Sequence, residues 1–591
     1  MKNLKLLSMI ALASVMVFSS CKREGCIDPT SLNYDPKAKK DDGSCLYGAV
    51  QLSLSSETAG NTPGNQVSTT VKLTAASGLK SLNILKNGLA DANYPVIELN
   101  GTTKDHEFTY IVENLAIGST INFSFQATDI RGEQSAAKTF VVTVTAVPAK
   151  QVIEISGDIE TATWTKGNIY KLNGYCRVQD GKILTIEAGT VIMGDRETKG
   201  VLIIQRGGKI LANGTASEPI IMTSERAPGL REPGDWGGLV ICGRAKNNQG
   251  TDVELEGGYG GIHGGNDDND NSGVVRYVQI NYAGIPINPN EEVNSLTMGS
   301  VGKGTVIEHV QCAYGLDDAF EWFGGTVNCK YLVAYKCLDD DMDVDFGFSG
   351  NIQYALAIRG VSMADQSGSN GFEVDNNGSG ALVAPYTSAK FSNVTMIGPK
   401  KTRETAISLQ FQNAMHLRRS NKIKIYNSFL TGYPNGLFID GVNTAAHATG
   451  DELQLRNVVL AGVEHWGGSG YGSAGTLFTN SPANGDQHPT NPRGVALKTT
   501  EAGFDVIAWY NTAGWGNQLL DKWQDAGINL NMFDAGKPTV TPGAGSILLT
   551  GADFTNANLS GMENVTFRGA FGATDWTAGW VDWNCALTEY N

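Results

Sequence analysis

A chain of 591 residues is too long to close around one ordinary core, so several domains or one elongated solenoid are expected. With 45 Lys and Arg against 60 Asp and Glu its formal charge is −15, which excludes a nucleic-acid backbone as partner and leaves a soluble or cation-binding surface. Glycine supplies 72 residues, a surplus suited to many tight turns, and a charged share of 18% against 41% hydrophobic excludes general disorder.

The chain begins with Lys2 and Lys5, an apolar run from Leu6 to Phe18, and Ser19-Ser20-Cys21. A basic end, a short apolar region and small residues read as an export signal over 1–20, too short for a spanning helix. The stretch resembles a bacterial lipoprotein signal, although Phe18 stands where that family more often has Leu. The resemblance implies that Cys21 is acylated, that the lipid on it is the membrane attachment, and that the protein sits at the outer membrane; display at the cell surface is expected only from the adhesin-like architecture of the rest of the chain. Residues 21–46 form a small polar linker bracketed by Cys26 and Cys45, and in an exported chain these are expected to pair. Its Cys-x-Asp-Pro opening and Asp-Asp-Gly-Ser-Cys close resemble a motif of Bacteroidota surface proteins. Asp28, Asp35, Asp41 and Asp42 either hold a calcium ion or solvate a stapled spacer.

From 47 to 148 the pattern becomes alternating strands, among them Gln51-Leu-Ser-Leu-Ser, Ile121-Asn-Phe-Ser-Phe and Phe140-Val-Val-Thr-Val, which predict a small antiparallel β-sandwich. The Asp129-Ile-Arg-Gly-Glu turn resembles immunoglobulin-like modules, which implies a spacer.

Residues 152–591 carry irregular repeats of short apolar strands with Gly and Asn turns and no helical period. Leu184-Thr-Ile-Glu-Ala-Gly-Thr, Gly207-Gly-Lys-Ile and Asp235-Trp-Gly-Gly occur early; Asn393, Asn427 and Asn457 each precede a glycine by five residues. The pattern predicts stacked coils in which Asn takes a tight turn. These segments together resemble right-handed parallel β-helices of the pectin-lyase-like type, best over 152–470. The resemblance implies an all-β fold, a sandwich followed by a β-helix, and says little about activity. Glu254–Asn294 reads as a long loop inserted on the coil surface, and the stretch from Gly516 to Gly527 as a short helix. Trp576, Trp580 and Trp583 are assigned to a C-terminal cap on the last coil, with a stacking platform for sugar rings as the functional alternative.

An apolar-acid-apolar pattern recurs as Phe320-Glu321-Trp322, Met342-Asp343-Val344 and Phe372-Glu373-Val374. Stacked coils would bring Glu321, Asp343 and Glu373 into one ladder with rungs about 4.8 Å apart, and Asp345 and Asp375 into a second. Like charges at that spacing need a cation, a raised pKa or water. Three readings follow. Asp318, Glu321, Asp341, Asp343, Asp345, Glu373 and Asp375 hold calcium, the one cofactor implied. Alternatively Glu321, Asp343 and Glu373 are catalytic carboxylates of a glycoside hydrolase or of a calcium-dependent polysaccharide lyase. Or the row is a solvated acidic face. Gly315-Leu316-Asp317-Asp318 matches the paired-Asp element of pectin-cleaving hydrolases, but the remaining elements of that set do not follow in order. His416 with Arg418 and Arg419 reads as an exposed polar turn. No phosphate loop, Gly-x-Ser-x-Gly or zinc spacing is present. Cys176, Cys242, Cys312, Cys329, Cys337 and Cys585 read as structural. The function expected is a lipid-anchored, non-catalytic binder of a polysaccharide or another cell-surface component, with the lyase or hydrolase as the alternative.

Overall fold

The computed structural model describes residues 23–146, 149–289, 291–402, 405–463, 504–533, 536 and 538–590. The export signal and Cys21 lie outside the described residues. The chain divides into two units, Met1–Ala149 and Lys150–Asn591.

In the first unit Cys26 and Cys45 are disulfide-bonded. Asp28, Asp35, Asp41 and Asp42 each accept a backbone N–H two residues ahead, so their carboxylates serve local turns. They do not come together as a cation-holding group among the described residues. Two small sheets follow. One pairs Gln51–Leu54, Gln66–Thr74 and Thr103–Ile111; the other runs through Thr58–Asn61, Lys138–Val144, Thr120–Asp129 and Leu79–Lys86. Their alternating apolar residues meet in a core of Phe108, Phe123, Phe125 and Phe140. Asp129 is fully buried in the predicted turn, where it accepts the Ser77 hydroxyl and the N–H groups of Arg131 and Glu133.

The second unit is a parallel β-helix. Its long sheet runs from Gln151–Ile159 to Gln518–Leu520, and every pairing in it is parallel. Each coil contributes strands to three faces. In one coil these are Phe320–Gly325 on one face and Asn328–Tyr335, which turns a corner and serves the other two. Inward side chains such as Phe320, Trp322, Met342, Val344, Phe372 and Val374 are fully buried in one continuous core.

The corner turns because one residue per coil adopts left-handed φ. Asn393, Asn427 and Asn457 do so, at 57°, 50° and 56°, as their spacing predicts. In the four preceding coils the same corner is held by Tyr277, His309, Tyr331 and Tyr354, at 50° to 63°. Bulky residues rarely take this conformation. Here their rings stack from coil to coil, at 4.3 Å, 4.3 Å and 5.0 Å between centroids, which offsets the strain.

Three expectations change. Glu254–Asn294 is not one loop: Gly273–Asn281 within it is a regular coil strand, and the insertions are the short hairpins on either side. The alternation in Val274-Val-Arg-Tyr-Val-Gln-Ile carries that strand. Gly516–Gly527 forms the strand Gln518–Leu520 and a four-residue 3-10 turn, Trp523–Ala526, ended by left-handed Gly527. The three tryptophans do not close the last coil. That end is covered by the helix Val506–Tyr510, whose Val506, Trp509 and Tyr510 join the interior core. Residues 546–590 instead wind back along the outside of the column, with Trp580 against the rings of Tyr277 and His309.

Candidate acidic site

Glu321 pairs in register with Asp343, and Asp343 with Glu373. The ladder continues on both sides, to Thr297 before it and His416 after it. All five side chains point outward because their strand neighbours fill the core. Just before the strands, the turns stack as well. The Asp318 carboxylate accepts the N–H of Asp340 at 2.8 Å, and the Asp340 carboxylate accepts the N–H of Asn370. The result is three overlapping carboxylate groups, Asp317/Asp318/Asp339, Asp318/Glu321/Asp343 and Asp340/Asp343/Glu373, with the oxygens of each within 4.8 Å of one another. Asp318 belongs to the first two and Asp343 to the last two.

Countercharge is unevenly distributed. Arg418 pairs with Glu373 and, at 2.8 Å, with Asp375; Arg419 reaches Asp375 at 2.6 Å. None of Asp317, Asp318, Glu321, Asp339, Asp340, Asp343 and Asp345 has a Lys or Arg ion-pair partner among the described residues. Burial, reinforced by neighbouring carboxylates, pushes Asp318, Glu321, Asp340 and Asp343 well above the usual carboxylate range. Burial also raises Asp339 and Asp345 to about 7, Asp345 with help from Asp375. Glu256, from the hairpin insertion, adds its negative field to Glu321. Two neutral oxygens belong to residues that adjoin Glu321. Thr297 Oγ1 and Asn294 Oδ1, on residues 1% exposed, have no hydrogen-bond partner, while Asn294 Nδ2 donates to Glu321. Gly238 lets Asn294 approach: its φ is 105°, and a Cβ there would lie 2.5 Å from the Asn294 carbonyl. The grouped carboxylates are an all-oxygen donor set of the kind that suits a hard divalent cation such as calcium.

Residues 155–501 match the family described as the pectate-lyase like beta helix domain. The chain belongs to that family. Among curated proteins nothing matches. A solved structure, the Yersinia enterocolitica family 28 exopolygalacturonase, is similar at 10% identity over 68% of this chain and 95% of that one, with a TM-score of 0.14. That likeness is too loose for residue correspondences.

Within this pectate-lyase like column, the sequence-predicted residues fall into distinct environments. Asp318, Glu321, Asp343 and Glu373 come together. Asp341 does not: its carboxylate is sealed inside, 3.0 Å from Arg359 and 2.8 Å from the Tyr433 hydroxyl. The period-two reading that placed it beside Asp343 fails because the chain bends between Asp340 and Met342, ahead of the strand Met342–Asp345. Asp345 and Asp375 stand at the rim of the row and belong to none of the three groups. Trp580 is 2% exposed, Trp576 stacks on Phe571 at 4.9 Å, and Trp583 packs edge-on against Tyr335 at 5.0 Å. Trp580 is thus sealed by packing, while Trp576 and Trp583 are half-buried.

Sequence reasoning passed over Thr297 and Asn294, and it left Asp317, Asp339 and Asp340 out of the calcium set although they stand in the same acidic stretches, because all five lie outside the apolar-acid-apolar triplets. It also read His416 as exposed, whereas His416 is 3% exposed and is the next rung. The signal was present: Met415-His416-Leu417 repeats the apolar-polar-apolar pattern. His416 Nε2 lies 3.3 Å from Asp440, and a cavity of about 360 Å³ opens beside it, lined also by Arg418, Arg419 and Ser420.

Proposed function

We propose that this protein is a lipid-anchored, cell-surface glycan-binding protein in which the acidic row takes up calcium and the bound cation, with the cavity at His416, engages a polysaccharide. The observation that carries the reading is the run of overlapping carboxylate groups in which, among the described residues, only Glu373 has a Lys or Arg ion-pair partner, beside unpartnered Thr297 and Asn294 oxygens. Seven acids packed this way resist full ionisation, and a divalent cation relieves them while leaving coordination sites for sugar hydroxyls or carboxylates. Acylation at Cys21 and outer-membrane placement rest on the signal sequence, display to the outside rests on the adhesin-like architecture, and the sandwich of the first unit would act as a spacer of the immunoglobulin-like kind. The choice of a polysaccharide as ligand class rests on the family's description as pectate-lyase like.

Calorimetry of the purified protein with calcium, then with a panel of plant and algal polysaccharides with and without calcium, tests this. Calcium uptake followed by calcium-dependent glycan retention without chain cleavage is the expected result; no calcium heat and an unchanged melting temperature would remove the metal site. The second reading, a hydrolase or lyase, is favoured by one feature, the close Glu321–Asp343 pair with raised proton affinity. Chain cleavage abolished by Glu321→Ala and Asp343→Ala would establish it instead.

A further inference from the structure

Five amides along the corner that carries the left-handed column, Gln279, Gln311, Gln353, Asn393 and Asn427, are each at most 4% exposed. All five donate to main-chain carbonyls of the C-terminal segment, and three of them also accept a main-chain N–H from it, while Gln279 Oε1 has no partner. Gln311 donates to the Asp582 carbonyl at 2.8 Å and accepts the Asp582 N–H at 2.9 Å. Gln353 makes the same two bonds to Glu563, at 2.8 Å and 2.9 Å, and Asn427 to Asp553, at 3.1 Å and 2.9 Å. Gln279 donates to the Trp580 carbonyl at 2.6 Å and Asn393 to that of Phe567 at 2.8 Å. A primary amide has the donor and acceptor of a peptide group, so a two-point pairing reproduces a rung between strands. Such rungs read a main chain, whatever side chains it bears.

Anchors supply the selectivity. Trp580 sits edge-on to Tyr277 and His309, at 5.9 Å and 5.6 Å, and Trp576 to Tyr331 at 5.3 Å. Beyond them Arg231 holds the Cys585 and Thr588 carbonyls at 2.7 Å and 2.9 Å. None of this belongs to the coil stack. The last strand of the long sheet is Gln518–Leu520, and the interior core takes no residue beyond it. The segment's apolar residues lie in a separate cluster on the outer surface.

We propose that this corner is a peptide-docking groove and that residues 546–590 are its ligand, a separable clip that the groove also accepts when it is supplied as a separate peptide. The test uses the full chain with a specific protease site placed at the exposed Ala544-Gly545 stretch. After cleavage the fragment is expected to stay bound through gel filtration and then to exchange with a fluorescent synthetic peptide of residues 546–590, read as a rise in anisotropy, while the far-ultraviolet spectrum of the column persists. Gln311→Ala with Gln353→Ala should speed release roughly tenfold, and Trp580→Ala in the labelled peptide should weaken its uptake by a similar factor. The proposal is overturned if exchange occurs only when the column itself unfolds, if release of the fragment destroys the β spectrum, or if both sets of variants behave like the parent.

Discussion

The two ends of the acidic row have the same rung geometry and opposite electrostatics. At Glu373 and Asp375 the next coil supplies Arg418 and Arg419, and the carboxylates are neutralised from within the chain. At Asp318, Glu321 and Asp343 no Lys or Arg forms an ion pair among the described residues, Asp343 feels only the field of Arg418 from the next rung, and the adjoining Thr297 and Asn294 oxygens are neutral. A buried charge left without a partner costs several kcal/mol, so one end is neutralised within the chain and the other either keeps its protons or, in the function proposed above, takes up a cation.

The largest effect should come from making the finished end resemble the open one. Arg418→Ala strands Glu373 and Asp375 and should cost roughly 3–5 kcal/mol in denaturant unfolding without calcium. If the two ends differ only in countercharge, calcium should restore much of that loss, and failure of calcium to do so would show that the ends differ in shape too. The converse change, Glu321→Gln with Asp343→Asn, removes like-charge repulsion. It should raise calcium-free stability by about 1–3 kcal/mol and abolish the calcium-induced rise in melting temperature.

The pH dependence sharpens the same contrast. Asp339 and Asp345 titrate near 7 in the folded chain against an ordinary 3.8, so the folded state holds more protons than the unfolded one between those values. Stability without calcium should therefore fall as pH rises from about 4 to about 7, and saturating calcium should flatten that slope. Melting curves across this range, with calcium and with a chelator, read it directly. The smallest effect is expected from Thr297→Val, which removes one unpartnered oxygen. Stability should hardly move, while calcium affinity, followed by calorimetry, should drop roughly two- to tenfold.

Much of the fold was legible because strand periodicity and turn residues are local signals. The triplets around Glu321, Asp343 and Glu373 forecast their register, and Asn393, Asn427 and Asn457 forecast a corner. The same corner went unseen at Tyr277, His309, Tyr331 and Tyr354, because nothing local marks a tyrosine as left-handed; only the ring stacked on it from the next coil makes that conformation affordable. Asp341 was misplaced for a related reason, since alternation holds along a strand and lapses at a bend.

By itself the sequence determined the parallel column, the sandwich before it and the line of outward acids, since these follow from side-chain period and turn chemistry along the chain. Only the tertiary structure decided which acids lack countercharge, that His416 extends their row, and that the final tryptophans bind the column's flank instead of closing its end. Those outcomes depend on residues from distant coils meeting through space, and charge compensation and burial are properties of such meetings that no single stretch of chain encodes.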